Sequence, residues 1–175
     1  MARNFRDIFT ATQKSLRDDP ARSLAVFSAD TRQLAGLLSE ATVRDFRFKL
    51  DEPPAFGGRD QAPNPIEYVL AALGACQEIT YRYYADTLGI PLHGVSVKVT
   101  GRLDLRGLFG VEPGVRPGLR DVHACVAIDS PADADELERL KAMVDRHCPV
   151  LDMLRNVTPV KTEHRVVNSR VPTAA

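Results

Sequence analysis

The chain has 175 residues, and its 23 lysines and arginines balance its 23 aspartates and glutamates. This length suits one domain with its own hydrophobic core, and the balanced charge gives no reason to expect nucleic acid or an anionic membrane as a partner. The first residues lack the apolar core of a signal peptide, and no apolar run approaches the roughly 18 residues that cross a bilayer. We therefore expect a cytoplasmic protein, in which paired cysteines are more often catalytic or metal-binding than structural.

The N-terminal third of the sequence predicts a short helix followed by a β-hairpin or meander. Residues 1–20 are mostly polar and fit a short helix that ends near Pro20. Residues 23–33 alternate between the two faces of a strand, and a second strand is predicted over residues 41–50. A turn around Gly36 separates them.

A long helix is predicted after the loop formed by residues 51–63, which is rich in proline and glycine. Asn64 suits the N-cap, Pro65 suits the first helical position, and Glu67 stands where a capping-box carboxylate belongs. The helix should continue to about Leu88, because a glycine and a proline follow. It is apolar on nearly every side, which predicts a buried, central helix.

The remaining elements predict an α+β fold with a mostly antiparallel sheet. Strands are predicted over residues 94–105, 119–129 and 158–167, a second helix from about residue 130 to 147, and a short helical turn over residues 151–154. Pro149 should end the second helix. With a three-stranded meander in the N-terminal third, the order is βββ-α-ββ-α-β.

Two cysteines lie on the predicted helices. At about 100° per residue, Cys76 shares its side of the first helix with four residues, of which two carry hydroxyl groups: Val69, Ala72, Thr80 and Tyr83. Cys148 shares its side of the second helix with Leu137 and Val144, so both thiols should point toward packed protein. They are either small core side chains, as cysteines often are, or a reactive pair that the fold brings together.

The third cysteine has a simpler interpretation. Cys125 lies on a predicted strand with His123 and Ala127 on its side, which is typical of a structural or surface thiol. A zinc site built from His123, Cys125, His147 and Cys148 would match none of the usual ligand spacings.

The stretch from Pro63 to Cys76, combined with Cys148-Pro149-Val150, resembles the OsmC/Ohr family of osmotically inducible and organic hydroperoxide resistance proteins. Further similar stretches are residues 51–53 with Gly57-Gly58, residues 101–107, and Pro159-Val160. The resemblance covers about residues 23–165. It divides the chain into an N-terminal arm or short helix, residues 1–22, and a single OsmC-like domain, residues 23–175.

The resemblance implies a fold and an activity. The fold has antiparallel sheets wrapped around two central helices in an intertwined homodimer, with active sites at the subunit interface. The activity is a cysteine peroxidase that reduces alkyl or fatty-acid hydroperoxides and is recycled by a dithiol, often a dihydrolipoyl protein, without metal, flavin or haem. Cys76 would be the peroxidatic thiolate and Cys148 the resolving thiol.

The family also implies an arginine and a carboxylate near the reactive thiol. The arginine comes from the N-terminal β region, where Arg32 is the first candidate and Arg47 and Arg22 are alternatives. The carboxylate usually follows Asn-Pro directly, where this chain has Ile66. Glu67 is the candidate one place later, although it lies about 180° from Cys76 around the helix and its capping role explains it.

Two other functions fit the same sequence. The chain could be a non-catalytic dimer that holds a small apolar ligand between its helices, for which the altered carboxylate position is the argument. It could also be a redox sensor in which a disulfide between Cys76 and Cys148 changes the binding of a partner.

Overall fold

The computed structural model describes residues 5–166. This range contains five α-helices, α1 (Phe5–Asp18), α2 (Pro65–Leu88), α3 (Leu105–Leu108), α4 (Ala134–His147) and α5 (Pro149–Arg155). Its five strands are β1 (Asp30–Ala35), β2 (Leu38–Val43), β3 (Phe46–Leu50), β4 (Gly94–Leu103) and β5 (Leu119–Asp129), and two short 3-10 turns cover Pro20–Ser23 and Pro54–Phe56. Among residues 5–166, no helix combines the length and the apolar content that a membrane span requires.

The strands form two antiparallel sheets. The first has the order β1-β2-β3 and the second pairs β4 with β5. Within the described residues the two sheets are not hydrogen-bonded to each other. The α+β class with antiparallel sheets is confirmed.

The central helix α2 has the predicted boundaries. The Asn64 side chain accepts a hydrogen bond from the backbone N–H of Glu67 at 2.9 Å, and the Glu67 carboxylate accepts one from the backbone N–H of Asn64 at 2.8 Å. Gly89 ends the helix in the left-handed conformation, with φ of 73°. A side chain there would be strained, so glycine is the residue that this C-terminus requires.

Three predicted strands differ from the observed ones. Residues 24–29 belong to no strand, so β1 begins at Asp30 rather than at residue 23. The strand predicted over residues 41–50 is two strands, β2 and β3, joined by a turn at Arg44 and Asp45. Residues 158–166 form no strand, and the last residue of that prediction, Val167, lies outside the described residues.

The hydrophobic core lies between α2, α4 and the β4-β5 sheet. Its fully buried members include Tyr81 and Ala85 from α2 and Leu140 and Val144 from α4. The inward-facing valines of β4 alternate with exposed polar residues, as predicted.

The expectation that α2 is buried on nearly every side is wrong for the single chain. Its buried residues lie along one face, whereas Val69, Ile79 and Tyr83 remain 38%, 57% and 37% exposed. A second face of α2, which is exposed in the single chain, is also apolar. This second face explains why the helix sequence is apolar on nearly every side.

The loop before α2 is organised around the buried carboxylate of Asp51. This carboxylate accepts hydrogen bonds from the backbone N–H groups of Glu52, Arg59 and Gln61 at 2.9 to 3.2 Å. Burial alone would raise the pKa of Asp51, but these donors and the Arg59 charge lower it below its usual value. Gly58 passes so close to the Glu52 carbonyl that no side chain would fit there.

Helix α1 packs against the C-terminal end of α2. The ring of Phe5 contacts Tyr83, and the ring of Phe9 contacts Tyr83 and Tyr84, with centroids 5.4 to 6.1 Å apart. The Arg6 guanidinium donates to the carbonyls of Asp86 and Thr87, which end α2. The helix predicted within residues 1–20 is therefore present and covers the last turn of α2.

Candidate active site

Cys148 lies at the junction of α4 and α5. It is the C-cap of α4, where its backbone N–H donates to the Val144 carbonyl at 2.9 Å, and it is also the residue before α5. Pro149 ends the first of these helices and starts the second, since proline suits the first helical position. The Cys148 side chain is 1% exposed, so the predicted inward orientation is confirmed.

Cys76 lies in the middle of α2 and is half-buried. The Cys76 side chain lies close enough to the Cys148 thiol to raise its pKa, and neither residue is in a disulfide. The fold therefore brings together two thiols that are 72 residues apart in the sequence. A reactive pair of thiols must lie close together, whereas two unrelated core cysteines need not.

The two thiols have different environments. Burial raises the pKa of Cys148, and its contact with Cys76 raises it further, while the backbone N–H groups of Val150 and Leu151 act in the opposite direction. The net shift is upward, so the Cys148 thiol stays protonated at neutral pH. A protonated thiol beside Cys76 can donate a hydrogen bond to the Cys76 sulfur.

The hydroxyl groups predicted near Cys76 have other contacts. The Thr80 hydroxyl donates to the Cys76 backbone carbonyl at 2.7 Å, and Tyr83 packs against α1. The prediction that this side of α2 points at packed protein is wrong for the single chain, because Val69, Ala72 and Tyr83 are exposed beside the thiol. The thiol therefore borders an open apolar stripe along the helix.

No arginine hydrogen-bonds to Cys76 among residues 5–166. Arg32 instead pairs with Glu40 at 2.8 Å within the first sheet. Arg47 lies on β3 opposite Thr42, and Arg22 lies in a 3-10 turn with its guanidinium 3.4 Å from the Ser15 hydroxyl. Within the described residues, the three candidate arginines thus have other positions or partners.

The register of the first sheet explains this separation. Cross-strand partners share one face of a sheet, and the pairing places Arg32 and Arg47 on the same face. Phe48 is on the other face, and its ring contacts Tyr68 of α2 at 5.1 Å. Both arginines therefore lie on the face turned away from their own α2.

Glu67 occupies the capping box of α2 and is exposed, with its carboxylate held by the Asn64 backbone. The predicted capping interaction is present. Ile66 stands where the resemblance implies a carboxylate. It lines a cavity together with Leu73 and Gln77 of the same helix.

Cys125 and His123 are exposed on β5, whereas Cys148 is buried at the α4-α5 junction. The four residues considered for zinc are thus divided between an exposed strand and the helices. Within residues 5–166, no group of three or more histidine, cysteine or acidic side chains could hold a metal ion.

Sequence reasoning missed two polar residues on the buried face of α2. Gln77 directly follows Cys76 and is 4% exposed, and Tyr81 lies one turn later and is fully buried. Burial, together with the nearby carboxylates of Asp145 and Glu138, raises the pKa of Tyr81 to about 12, so its phenol stays neutral. A glutamine between Leu73 and Tyr81 on an otherwise apolar face was the available signal.

The comparisons with known proteins agree with this architecture. A family model described as OsmC-like protein matches residues 58–163. The OsmC-like protein of Mycoplasma pneumoniae is 22% identical, with a TM-score of 0.63 over 76% of this chain and 89% of that one. No curated protein matches the sequence.

Two further solved structures share the fold. An organic hydroperoxide resistance protein OsmC from Legionella pneumophila is 24% identical, with a TM-score of 0.60 over 75% of this chain and 92% of that one. An organic hydroperoxide resistance protein from Elizabethkingia anophelis is 20% identical, with a TM-score of 0.58 over 77% of this chain and 91% of that one. Since the family model also matches more than half of the sequence, the chain belongs to the OsmC-like protein family.

Proposed function

We propose that this protein is a thiol peroxidase that reduces organic hydroperoxides to alcohols. The observation that carries the proposal is the contact between Cys76 and Cys148, which are otherwise far apart in the sequence. Similarity of fold to proteins named for organic hydroperoxide resistance supports the same reaction class. The proposed substrates are alkyl or fatty-acid hydroperoxides.

In the proposed reaction, the Cys76 thiolate attacks the distal oxygen of the hydroperoxide. The O–O bond breaks, Cys76 becomes a sulfenic acid, and the alkoxide takes a proton and leaves as an alcohol. The Cys148 sulfur then attacks the Cys76 sulfur, so that a disulfide forms and water leaves. An external dithiol, for which a dihydrolipoyl protein is our candidate, reduces the disulfide through a mixed disulfide.

The environments of the two sulfurs support this division of roles. Cys76 is half-buried and borders an open stripe, so a substrate can reach it, whereas Cys148 is buried. Because the raised pKa keeps Cys148 protonated, it is the poorer nucleophile toward a peroxide but is in place to resolve the sulfenic acid. The apolar side chains of Val69 and Ile79 beside the thiol favour an alkyl peroxide over hydrogen peroxide.

We infer that the working form is a homodimer in which the activating arginine comes from the second subunit. Arg32 and its alternative Arg47 lie on the sheet face turned away from their own α2, and the stripe beside Cys76 is open. A second copy would cover that stripe and could place a guanidinium next to Cys76. Arginine suits this role because it stays charged and donates several hydrogen bonds.

Stopped-flow measurements with cumene hydroperoxide and linoleic acid hydroperoxide test the function. We expect rapid consumption by the wild type and a loss of at least about 1,000-fold in Cys76→Ser, because removing the nucleophile of a covalent mechanism leaves little of the rate. Cys148→Ser should complete one turnover and accumulate a sulfenic acid that dimedone labels. Cys125→Ser is the matched control, since Cys125 is exposed on a strand away from the pair.

Two outcomes would overturn the proposal. If the reduced wild-type protein consumes neither peroxide, the peroxidase is excluded and the non-catalytic scaffold is favoured. If Cys148→Ser turns over like the wild type, Cys148 is not the resolving thiol. A slow reaction whose disulfide changes partner binding would instead favour the redox sensor.

A further inference from the structure

A cavity of about 820 Å³ lies on the buried side of α2, away from the apolar stripe. Residues of α2, β5, α4 and α5 line it, and neither Cys76 nor Cys148 does. Its volume falls within the range of about 300–1,000 Å³ that is typical of small-molecule sites. The proposed peroxidase reaction gives this cavity no role.

The lining of the cavity contains an unsatisfied polar atom. Gln77 lines the cavity and is 4% exposed, and its side-chain Oε1 has no hydrogen-bond partner among residues 5–166. A buried acceptor without a partner costs free energy. A ligand that brings a hydroxyl or amide N–H to this oxygen would remove that cost.

The lining of the cavity also carries cationic groups. Three arginines line it: Arg116 and Arg120 from the β5 side, and Arg155 from the end of α5. Arg116 has neither an ion pair nor a hydrogen bond with any residue in the described part of the chain. Arg120 is 3.8 Å from the Asp104 carboxylate, which Arg106 already holds at 2.7 Å.

The carboxylates at the cavity are already neutralised. Arg102, which does not line the cavity, bonds Asp121 at 2.9 and 3.1 Å. Lys141 pairs with Asp145 at 2.7 Å. The charge left to meet a ligand is therefore positive, which selects for an anion.

Much of the remaining lining is apolar. Leu73 from α2, Leu119 and Val122 from β5, and Leu151 and Leu154 from α5 provide this surface. A ligand that extends from the arginines to Gln77 would bury an aliphatic chain against these side chains.

We propose that this cavity binds an aliphatic organic anion that also carries a hydroxyl or amide donor. The anionic group contacts Arg116, the chain contacts the leucines, and the donor meets Gln77 Oε1. Neither thiol lines this site, and the ligand is bound rather than converted.

Isothermal titration calorimetry with three probes of equal length tests the proposal. The probe ω-hydroxydecanoate has both polar ends, decanoate lacks the donor, and decanediol lacks the charge. We expect ω-hydroxydecanoate to bind about 10-fold more tightly than decanoate, which corresponds to one hydrogen bond. The affinity of ω-hydroxydecanoate should exceed that of decanediol by at least about 10-fold, as for a charge-assisted contact.

Two variants identify the contacts. Gln77→Leu should weaken ω-hydroxydecanoate to the affinity of decanoate and leave decanoate unchanged. Arg116→Gln should weaken both carboxylates and leave decanediol unchanged. Arg139→Gln is the matched control, because Arg139 is exposed on α4 and does not line the cavity. The melting temperature of ligand-free Gln77→Leu should not fall, since the Oε1 atom makes no hydrogen bond that the variant would lose.

The proposal is overturned if no probe binds, if the three probes bind equally, or if Arg139→Gln weakens the carboxylates as much as Arg116→Gln does. Should Gln77→Leu fail to fold, the Arg116→Gln comparison still decides the question. Cys76→Ser should bind ω-hydroxydecanoate like the wild type. A failure of the peroxidase proposal would therefore leave this binding unchanged, and the two failures can be told apart.

Discussion

At the scale of single residues, the candidate site depends on two cysteines that the same fold treats differently. Cys76 is half-buried in the middle of a helix, and Cys148 is almost fully buried between two helices. Burial raises the pKa of Cys148 and the contact with Cys76 adds to the shift. The fold thus places a protonated thiol beside an accessible one.

This difference predicts an order of alkylation. Iodoacetamide reacts with thiolates, so at neutral pH we expect Cys125 and Cys76 to be modified before Cys148. Because the folded pKa of Cys148 is raised, its modification should accelerate only as the pH rises above the ordinary range of a thiol. Mass spectrometry of timed samples across pH measures the three rates.

Urea-denatured protein is the control for this experiment. Without the folded environment the three cysteines should react at similar rates, because the shift belongs to the folded state. If Cys148 in the folded protein reacts as fast as the exposed Cys125, its assignment as the protected, protonated partner is wrong.

At the scale of secondary-structure elements, local signals predicted α2 and missed the strand boundaries. The N-cap Asn64, Pro65 and Gly89 act within their own helix, so the sequence contains them in full. A strand needs a neighbour, and the alternating residues 24–29 have none within the described chain.

The turn between β2 and β3 shows a second reason for a missed boundary. It consists of Arg44 and Asp45, without glycine, proline or asparagine. Arg44 adopts a φ of 54°, a conformation that its residue type does not signal. Pairing of Val43 with Phe46 closes this hairpin, and that contact cannot be read from turn composition.

In the candidate site, too, features set by local sequence could be predicted, and features set by packing could not. Helical spacing correctly assigned Cys148 to an inward face, but its proximity to Cys76 depends on how α5 packs against α2. The position of the arginines could not be predicted, since it depends on which sheet face meets which helix. Gln77 was visible as a polar residue on an apolar face, but its cavity was not.

The capping box of α2 predicts a clear separation between stability and catalysis. Asn64→Ala should lower the free energy of unfolding by about 1 kcal/mol, as for other N-cap removals. Glu67→Gln should change it little, because glutamine also closes a capping box. Denaturation with urea measures both free energies. The peroxidase rate of Glu67→Gln should stay within about twofold of the wild type, because the variant keeps the cap and so leaves the catalytic geometry intact.

The contrary result would give Glu67 another role. A loss of activity of about 100-fold or more in Glu67→Gln, with unchanged stability, would mean that its charge acts at the thiol. Gln13→Glu, on the exposed face of α1, provides a matched control for a change of one charge at the surface.

At the scale of the whole molecule, the proposed peroxidase site calls for a second copy of the chain. The apolar stripe of α2 is open beside Cys76, and the sheet that carries Arg32 and Arg47 turns their face away from that helix. Leu24, Val26 and Phe27 are 85%, 88% and 92% exposed in the unpaired segment before β1. A second copy would cover apolar surface and supply the missing cation in one step, as symmetric contacts do.

Mixed dimers test this arrangement. Cys76→Ser and Arg32→Ala should each be inactive alone. If Arg32 acts on the Cys76 of the other subunit, co-refolding the two variants restores one intact site in each mixed dimer. Random association should then give about a quarter of the wild-type activity, since half of the dimers are mixed and each has one working site of two.

The same mixing with Arg47→Ala and Arg22→Ala identifies the arginine. The variant that is inactive alone and regains activity with Cys76→Ser carries the guanidinium that acts across the interface. If an inactive arginine variant regains nothing although light scattering shows mixed dimers, that arginine acts within its own chain. If light scattering shows that the wild-type protein is a monomer and this monomer reduces hydroperoxide rapidly, the site is complete in one chain. The dimer proposal then fails.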